Sequence, residues 1–574
     1  MHPTEDCELA GQSETPGRRH VLTVDLQDYY SAAPVRRWVP HDTWYRFEWR
    51  VAASTQRTLE ILDRHGARAT FFIPGYIAER IPDLVADISR RGHEVASSGY
   101  SHRSVWELGR EAFRDDVRRA RELLEDVTGR RVLGFRMPQR WLRSDDLWVF
   151  EVLEEAGYRY DSSVRPLVKG FRSQTWQRKL LELGAEGRSF YEVPVSSVSL
   201  LGIQLPVGGG GSLRLLPEFW MRSAVAGWVE RQRDPYVMYF RTWELDPDQP
   251  RISLLPLGAR VRQYARLDRM PELLGEYLGS YRFTSVAAYY EAATVLPRRA
   301  LPQNVAGPPR AVASDHPSHP AAAGVPIAAT IVVPCFNETQ SLGYLRNTLR
   351  SVAQTYRGTI DFAYVFVDDC STDGTWTMLQ SLFGSDPACR LVRHEVNKGI
   401  AGTIRTGIEH ARTDVVCSID CDCTYDPHEL GRMIPLLVDG VHLVTASPYH
   451  PDGRVRNIPG WRLFLSKSLS RLYRVVLHQQ LFTYTSCFRV YRRASAAAVD
   501  VQRPGFLGIA ELIARLDLEG GRVVEYPTTL ESRVLGRSKM KIAKTILGHV
   551  GLLSDLVRVR LLGRGHSAPA KASL

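Results

Sequence analysis

Acidic and turn-forming residues collect at three places in the second half of this chain, each at the end of a run of β-prone residues. Pro334 closes the run at 330–334, with Asn337 and Glu338 just beyond it; Asp368 and Asp369 follow the run at 364–367; Asp420 and Asp422 follow the run at 415–419. Two acids on alternate residues of a tight turn offer hard oxygen ligands to a divalent cation, and such a cation assists the departure of a diphosphate. An acidic pair that ends a buried strand is expensive unless it accepts hydrogen bonds from a base, a ribose or an amide. Any one of these acids alone reads as a solvated loop acid or a helix N-cap. Three such strand ends in order argue for a ligand site. Further on, Arg533, Ser538 and Lys539 can gather round a phosphate, arginine as a bidentate fork and lysine as a point charge.

The elements that must position these groups follow from the hydrophobic pattern. In the second half the β-prone runs alternate with helical spacing at 342–354, 376–383 and 400–411, which predicts an open parallel sheet with helices on both faces. Ligands of such sheets bind beyond the carboxyl ends of the strands, where the acids fall. In the first half, short apolar runs at 20–24, 69–73 and 236–240 alternate with helical stretches at 81–91 and 111–127, a pattern typical of α/β barrels. Between the halves, residues 296–326 are rich in Pro, Ala and Gly and lose all apolar periodicity, as a linker does. The division expected is therefore a polar tail at 1–19, a barrel at 20–295, the linker, a sheet domain at 327–540, and a basic amphipathic helix with a tail at 541–574.

With Asn397, Lys398 and Gly399 between the second and third acidic sites, the ordered set resembles glycosyltransferase family 2, and within it the polyprenyl-phosphate (dolichol-phosphate mannosyltransferase-like) branch. The resemblance spans about 230 residues and implies a GT-A-like, inverting enzyme that uses a nucleotide sugar. It places Pro334, Asn337, Glu338, Asp368, Asp369 and Lys398 on the donor and a Mg or Mn ion on Asp420 and Asp422. The segments holding Ser486 and Arg489, and Arg533, Ser538 and Lys539, match the acceptor side. A lipid phosphate acceptor is already an anion and needs no general base; for a hydroxyl acceptor, Glu511 is the candidate base, although a helical surface acid is the commoner role for such a residue. Cys487 and Cys421 stand where the family carries Gly and Ala.

The first half resembles the polysaccharide deacetylase family over about residues 21–252, in segments that include Arg136, Trp243 and Glu244. The resemblance implies a distorted (β/α) barrel. The chemistry of that family needs a metal on an acid and two histidines, an aspartate base and a late histidine acid. Here Asp25 and Asp28 remain, Ser98 replaces the first histidine, His102 survives and Arg241 replaces the late histidine. Serine is a weak zinc ligand and arginine cannot exchange a proton near neutral pH. Zinc is not expected, and the barrel is read as degenerate, serving to recognise a glycan.

The net charge of +11 favours polyanionic partners without choosing among them. Residues 533–564 carry eight Lys/Arg against one acid, Asp555. The basic residues track the expected phosphate site and no nucleic-acid module is recognised, so nucleic acid is not an expected partner. Seven of the eight cysteines lie from Cys335 onward at irregular spacing, which suggests reduced thiols in a cytoplasmic protein. No secretory signal or spanning segment is read. The apolar spacing of Ile542, Ile546, Val550, Leu553 and Leu556 suits equally a helix lying on an anionic membrane and one packed on the sheet. The expected function is transfer of a sugar from a nucleotide diphosphate donor to a polyprenyl phosphate or lipid-linked glycan. The alternatives are a bifunctional deacetylase and glycosyltransferase, and a glycan-binding scaffold.

Overall fold

The structure, a computed structural model, describes residues 18–138, 146, 148–164, 181–182, 190–200, 203–232, 234–292, 325–536 and 542–563. The tail at 1–17, most of the linker (296–324), and Ser538 and Lys539 lie outside the described residues. The chain divides into two compact units: residues 1–41, 49–249 and 255–309 form the first, and residues 42–48, 250–254 and 310–574 form the second.

The first unit is built on strands β1 (Arg19–Asp25), β2 (Thr70–Ile73), β3 (Glu94–Ser97), β4 (Gly134–Phe135), β5 (Tyr160–Asp161), β6 (Leu181–Glu182) and β7 (Tyr191–Glu192), then the hairpin of β8 (Ser197–Leu200) and β9 (Ile203–Pro206), then β10 (Val237–Arg241) and β11 (Arg282–Thr284). They order as β10-β1-β2-β3-β4-β5-β7-β6, with β11 on the first residues of β1. Within that sheet every pair is parallel except β6 with β7, and β8 pairs antiparallel with β9 apart from it. Among the described residues the two edges do not pair, so the expected barrel is an open, curled sheet. Leu22, Val24, Phe71 and Ile73 pack into the large outer core beneath the helices. The alternate residues Val21, Phe72, Val237 and Tyr239 form a separate inner cluster. Because side chains alternate with period two, Asp25 and Arg241 share that inner face. They are also direct partners in the β1–β10 register.

The second unit is built on β12 (Ile327–Cys335), β13 (Ile360–Asp368), β14 (Cys389–Arg393), β15 (Val415–Ser418), β16 (Val441–Ser447), β17 (Arg454–Arg456), β18 (Arg489–Arg492), β19 (Arg522–Pro527) and β20 (Thr529–Glu531). Seven of them make one sheet in the order β14-β13-β12-β15-β18-β16-β19, and β17 pairs with β20 apart from it. The sheet is parallel except that β18 runs against both its neighbours. Val332, Val365 and Val367 face the helices Gly399–His410 and Phe506–Leu518 in one core. On the other face Phe366 stacks on Phe383 of the helix Thr375–Phe383 at 4.1 Å. Helices thus cover both faces, and the carboxyl ends of β12, β13 and β15 lie side by side.

The helix Ile542–Gly563 packs one side against the core of the second unit, as the second reading of its apolar pattern expects. Leu552 and Leu556 are buried in the core, and buried His549 bonds the Tyr473 hydroxyl at 2.8 Å. Leu547, Val550, Val557 and Leu561 are exposed.

Candidate active site

Strand ends bring the sequence-predicted acids together. Register places Cys335 beside Asp368, and Val332 beside Ser418 two residues before Asp420. Pro334, which has no N–H to donate, lies beyond the last residue that β12 pairs with β15, so no ladder bond is lost on that side. Three non-glycine residues in these loops, Asn337, Cys370 and Cys423, hold left-handed backbone with φ of 53°, 61° and 52°. Such strain persists where surrounding contacts over-determine the loop, and it gathers at functional sites.

Asp422 is buried, with Oδ1 accepting from the Thr424 amide at 3.1 Å and Oδ2 from Arg533 Nε at 2.5 Å. The same guanidinium reaches Glu338 Oε1 through Nη2 at 3.0 Å. Arg533 therefore bridges the β12 and β15 loops as a cation. Asp420 accepts from Thr424 Oγ1 at 3.4 Å, and its carboxyl is pushed up to about 7 by burial and by the neighbouring Asp422 charge. Two adjacent carboxylates, one reluctant to ionise and the other already holding a guanidinium, fit a hard divalent cation. Among the described residues no group of three or more His, Cys, Asp or Glu side chains is arranged to hold a metal. Two carboxylates suffice for Mg-type sites, where substrate phosphates and water complete the shell.

Several predicted residues prove to hold the loops themselves. Asn337 Oδ1 accepts from the Thr372 and Asp373 amides at 2.8 and 3.3 Å, pinning the β13 loop. The Asp369 carboxylate takes His394 Nδ1 and the Lys398 and Gly399 amides, all at 2.8 Å. It fixes the start of the helix Gly399–His410, where Gly399 has φ 73° and a Cβ would meet the Gly505 amide nitrogen at 3.0 Å. Lys398 keeps its side chain exposed. Asp368 is wholly buried at the end of β13, and neither carboxylate oxygen has a hydrogen-bond partner among the described residues. Arg393 Nε stands 3.2 Å from Asp368 Oδ2 and supplies only an ion pair.

Two expectations are corrected. Arg489, read as an acceptor-phosphate ligand, is 0% exposed and donates to the Ile509 and Tyr484 carbonyls at 2.7 and 2.8 Å. It begins β18, the reversed strand, and ties that strand to the helix Phe506–Leu518. Glu511, read as a candidate base, is 1% exposed; it pairs with Arg515 at 2.7 Å and accepts from the Gln502 and Arg503 amides at 3.0 and 2.7 Å. Ser486 is buried, and its hydroxyl accepts from the Phe488 amide at 3.2 Å. Cys487, read from the sequence as standing where the family carries Gly, has its thiol pushed well up by burial and by the Asp420 and Asp422 charges.

The acid of the first unit sits in different company. Asp25 Oδ1 accepts from Arg136 Nη1 at 2.8 Å, and Asp25 Oδ2 lies 3.9 Å from Arg241 Nε. Ser98 Oγ donates to the Arg136 carbonyl at 2.9 Å. Asp28 accepts from the Tyr29, Arg50 and Val51 amides, and burial pushes its carboxyl up to about 7. His102 is buried with φ 57°; burial, with Arg36, His41 and Arg241 nearby, pushes its imidazole down to about 3. A dication beside Asp25 would have to compete with the bonded Arg136 guanidinium, sit close to the Arg241 charge and take Ser98 as a ligand, so these residues do not fit zinc.

The comparisons separate the two units. Residues 330–499 match Glycosyl transferase family 2, residues 41–160 match Polysaccharide deacetylase, and residues 162–291 match a domain of unknown function, DUF3473. The polyprenol monophosphomannose synthase of Mycolicibacterium smegmatis is 30% identical over 217 residues, 37% of this chain and 80% of that protein. The dolichol-phosphate mannosyltransferase of Pyrococcus furiosus is 27% identical over 231 residues, 40% of this chain and 63% of that protein. Among solved structures, a polysaccharide deacetylase from Mycobacterium smegmatis is 22% identical with a TM-score of 0.32, covering 50% of this chain and 94% of that one.

Proposed function

The chain belongs to glycosyl transferase family 2 through residues 330–499, and from that premise we propose that it transfers a sugar from a nucleotide diphosphate donor to a polyprenyl phosphate or lipid-linked glycan, inverting the anomeric carbon. The names of the two relatives, polyprenol monophosphomannose synthase and dolichol-phosphate mannosyltransferase, favour a lipid phosphate as acceptor. The observation that carries the reading is the cluster of Asp420, Asp422 and Glu338 round the Arg533 guanidinium at the carboxyl ends of β12 and β15.

Asp420 and Asp422 would hold a Mg or Mn ion, which when bound would supply charge to offset the departing diphosphate. Arg533 is placed to exchange Asp422 and Glu338 for phosphate oxygens of the substrate, keeping its charge throughout. The acceptor phosphate oxygen forms a bond to the anomeric carbon as the bond to the diphosphate breaks on the opposite face, and the nucleoside diphosphate leaves. That oxygen is already an anion and needs no base, which agrees with the commitment of Glu511 to Arg515 and backbone amides.

The finer reading places the enzyme on a membrane surface. Among the described residues no helix is long and apolar enough to cross a membrane. Trp461, Phe464 and Val475 are exposed on the helix Gly460–Val476, which Arg560 ties to the helix Ile542–Gly563 through the Val475 carbonyl at 3.2 Å. With the exposed Lys467, Arg471 and Arg558 they suit anionic lipid. In the first unit the deacetylase-like sheet recognises the glycan.

The test is incubation with UDP-, GDP- and dTDP-sugars, polyprenyl phosphate in anionic vesicles, and Mg or Mn, with D422N alongside. Product from one donor class with the native chain and little from D422N is expected. Equal product from D422N removes the metal site, and activity on soluble sugars alone removes the lipid acceptor.

A further inference from the structure

We propose that the first unit binds the oxyanion of an acidic sugar, a hexuronate carboxylate or a sugar phosphate, between Arg241 and Arg136 at the carboxyl ends of β10 and β4. The inference deepens the glycan recognition assigned above to this unit and rests on it.

Charge accounting is the first support. Asp25 is the carboxylate that faces both guanidiniums, at 2.8 Å from Arg136 and 3.9 Å from Arg241. The other nearby acids are committed elsewhere. Glu244 pairs with buried Arg214 at 2.9 Å and accepts from the Arg241 amide at 2.9 Å. Asp28 is held by three backbone amides, and Glu107 pairs with Arg36. Among the described residues Arg241 faces Glu244 as well as Asp25, and Glu244 is shared with Arg214, so three guanidiniums stand against two carboxylates and the cluster keeps a net positive charge.

Geometry is the second. Arg136 is fixed, with Nε on the Ser162 carbonyl at 3.2 Å, Nη2 on Ser162 Oγ at 2.8 Å, and the Phe72 ring 4.2 Å beneath it. Arg241 lies over the Tyr239 ring at 5.2 Å, and that ring also lies 5.5 Å from Arg136. Aromatic faces under both cations hold them in place before a ligand arrives. At 3.9 Å, Asp25 is beyond hydrogen-bonding distance of Arg241 Nε, so the five-donor fork keeps capacity for a second oxyanion. The Arg241 side chain is 18% exposed and that of Asp25 is 13% exposed, so a solute can reach the gap, whereas Arg136 at 3% forms its floor. A planar fork that meets a carboxylate or phosphate in bidentate fashion discriminates strongly against a neutral hydroxyl.

The experiment is calorimetric titration of the full chain with glucuronate, glucose 6-phosphate and glucose, repeated on R241Q, R241K and D422N. Native protein is expected to bind one of the two acidic sugars at least about tenfold more tightly than glucose. R241Q loses that margin, R241K keeps part of it, and D422N keeps it all, which separates this site from the transferase carboxylates. Whichever acidic sugar prefers the native chain identifies carboxylate or phosphate as the source. Undiminished binding by R241Q, or loss of the margin in D422N, overturns the proposal. Tight binding of glucose with no margin for the acidic sugars leaves glycan recognition standing and removes the anion site. Failure of all three to bind removes both, whereas stoichiometric zinc with acetate release removes the anion site alone.

Discussion

Both units end parallel strands in carboxylates, and what surrounds those carboxylates sets them apart. In the second unit Asp420 and Asp422 stand together, share one arginine with Glu338, and raise the proton affinity of Asp420. In the first unit Asp25 stands between Arg136 and Arg241. An excess of negative charge calls for a cation, and an excess of positive charge calls for an anion. Two α/β sheets that present similar strand-end acids are therefore suited to opposite ligands, and the deciding residues are arginines contributed by distant parts of the chain.

The comparison breaks most readily at Asp422. D422N is expected to lower transfer by roughly a thousandfold, measured as product formed at saturating Mg or Mn, because a lost metal ligand removes charge stabilisation from the departing diphosphate. The next effect is on stability. R489M leaves the Ile509 and Tyr484 carbonyls buried without donors and should lower unfolding free energy by about 2–4 kcal/mol in urea titrations. A stable R489M protein that fails only toward polyprenyl phosphate would instead restore Arg489 as an acceptor ligand. R533Q, which removes the bridging cation, should weaken donor use about tenfold in kcat/KM while sparing the fold.

The smallest effect concerns His549, which burial holds down to about 4 against an unfolded value near 6.5. Between those values the unfolded chain binds more protons than the folded one, so this group's contribution to stability falls as pH drops from about 6.5 toward 4. H549F should flatten the stability curve of the second unit between pH 7 and 5 by on the order of 1 kcal/mol relative to the native chain. Parallel curves for the two proteins would show that burial does not hold the imidazole neutral.

Much of this was legible before any coordinates. The apolar runs at 20–24, 330–334 and 415–419 fall within β1, β12 and β15 or differ at one end by a residue, because β-branched residues between turn signals mark buried strands directly. Strands β4, β5 and β7 have two residues each and leave no periodicity to read. Reversal of β18 was equally hidden, since strand direction within a sheet depends on connections rather than on local pattern.

At the sites, the sequence determined which residue types stand at the strand ends: the acids at 420 and 422, the serine at 98 and the arginine at 241. Those types and their order were enough to indicate a glycosyltransferase domain beside a deacetylase-like one. Only the tertiary structure decided which charges are committed to the protein's own groups. Arg489, Asp369 and Glu511 read like site residues, yet each is buried against backbone groups. Arg533 reached Asp422 and Glu338 from loops remote in sequence. The physical reason is that a charged side chain taken out of water must find partners in three dimensions, and sequence spacing does not specify who those partners are.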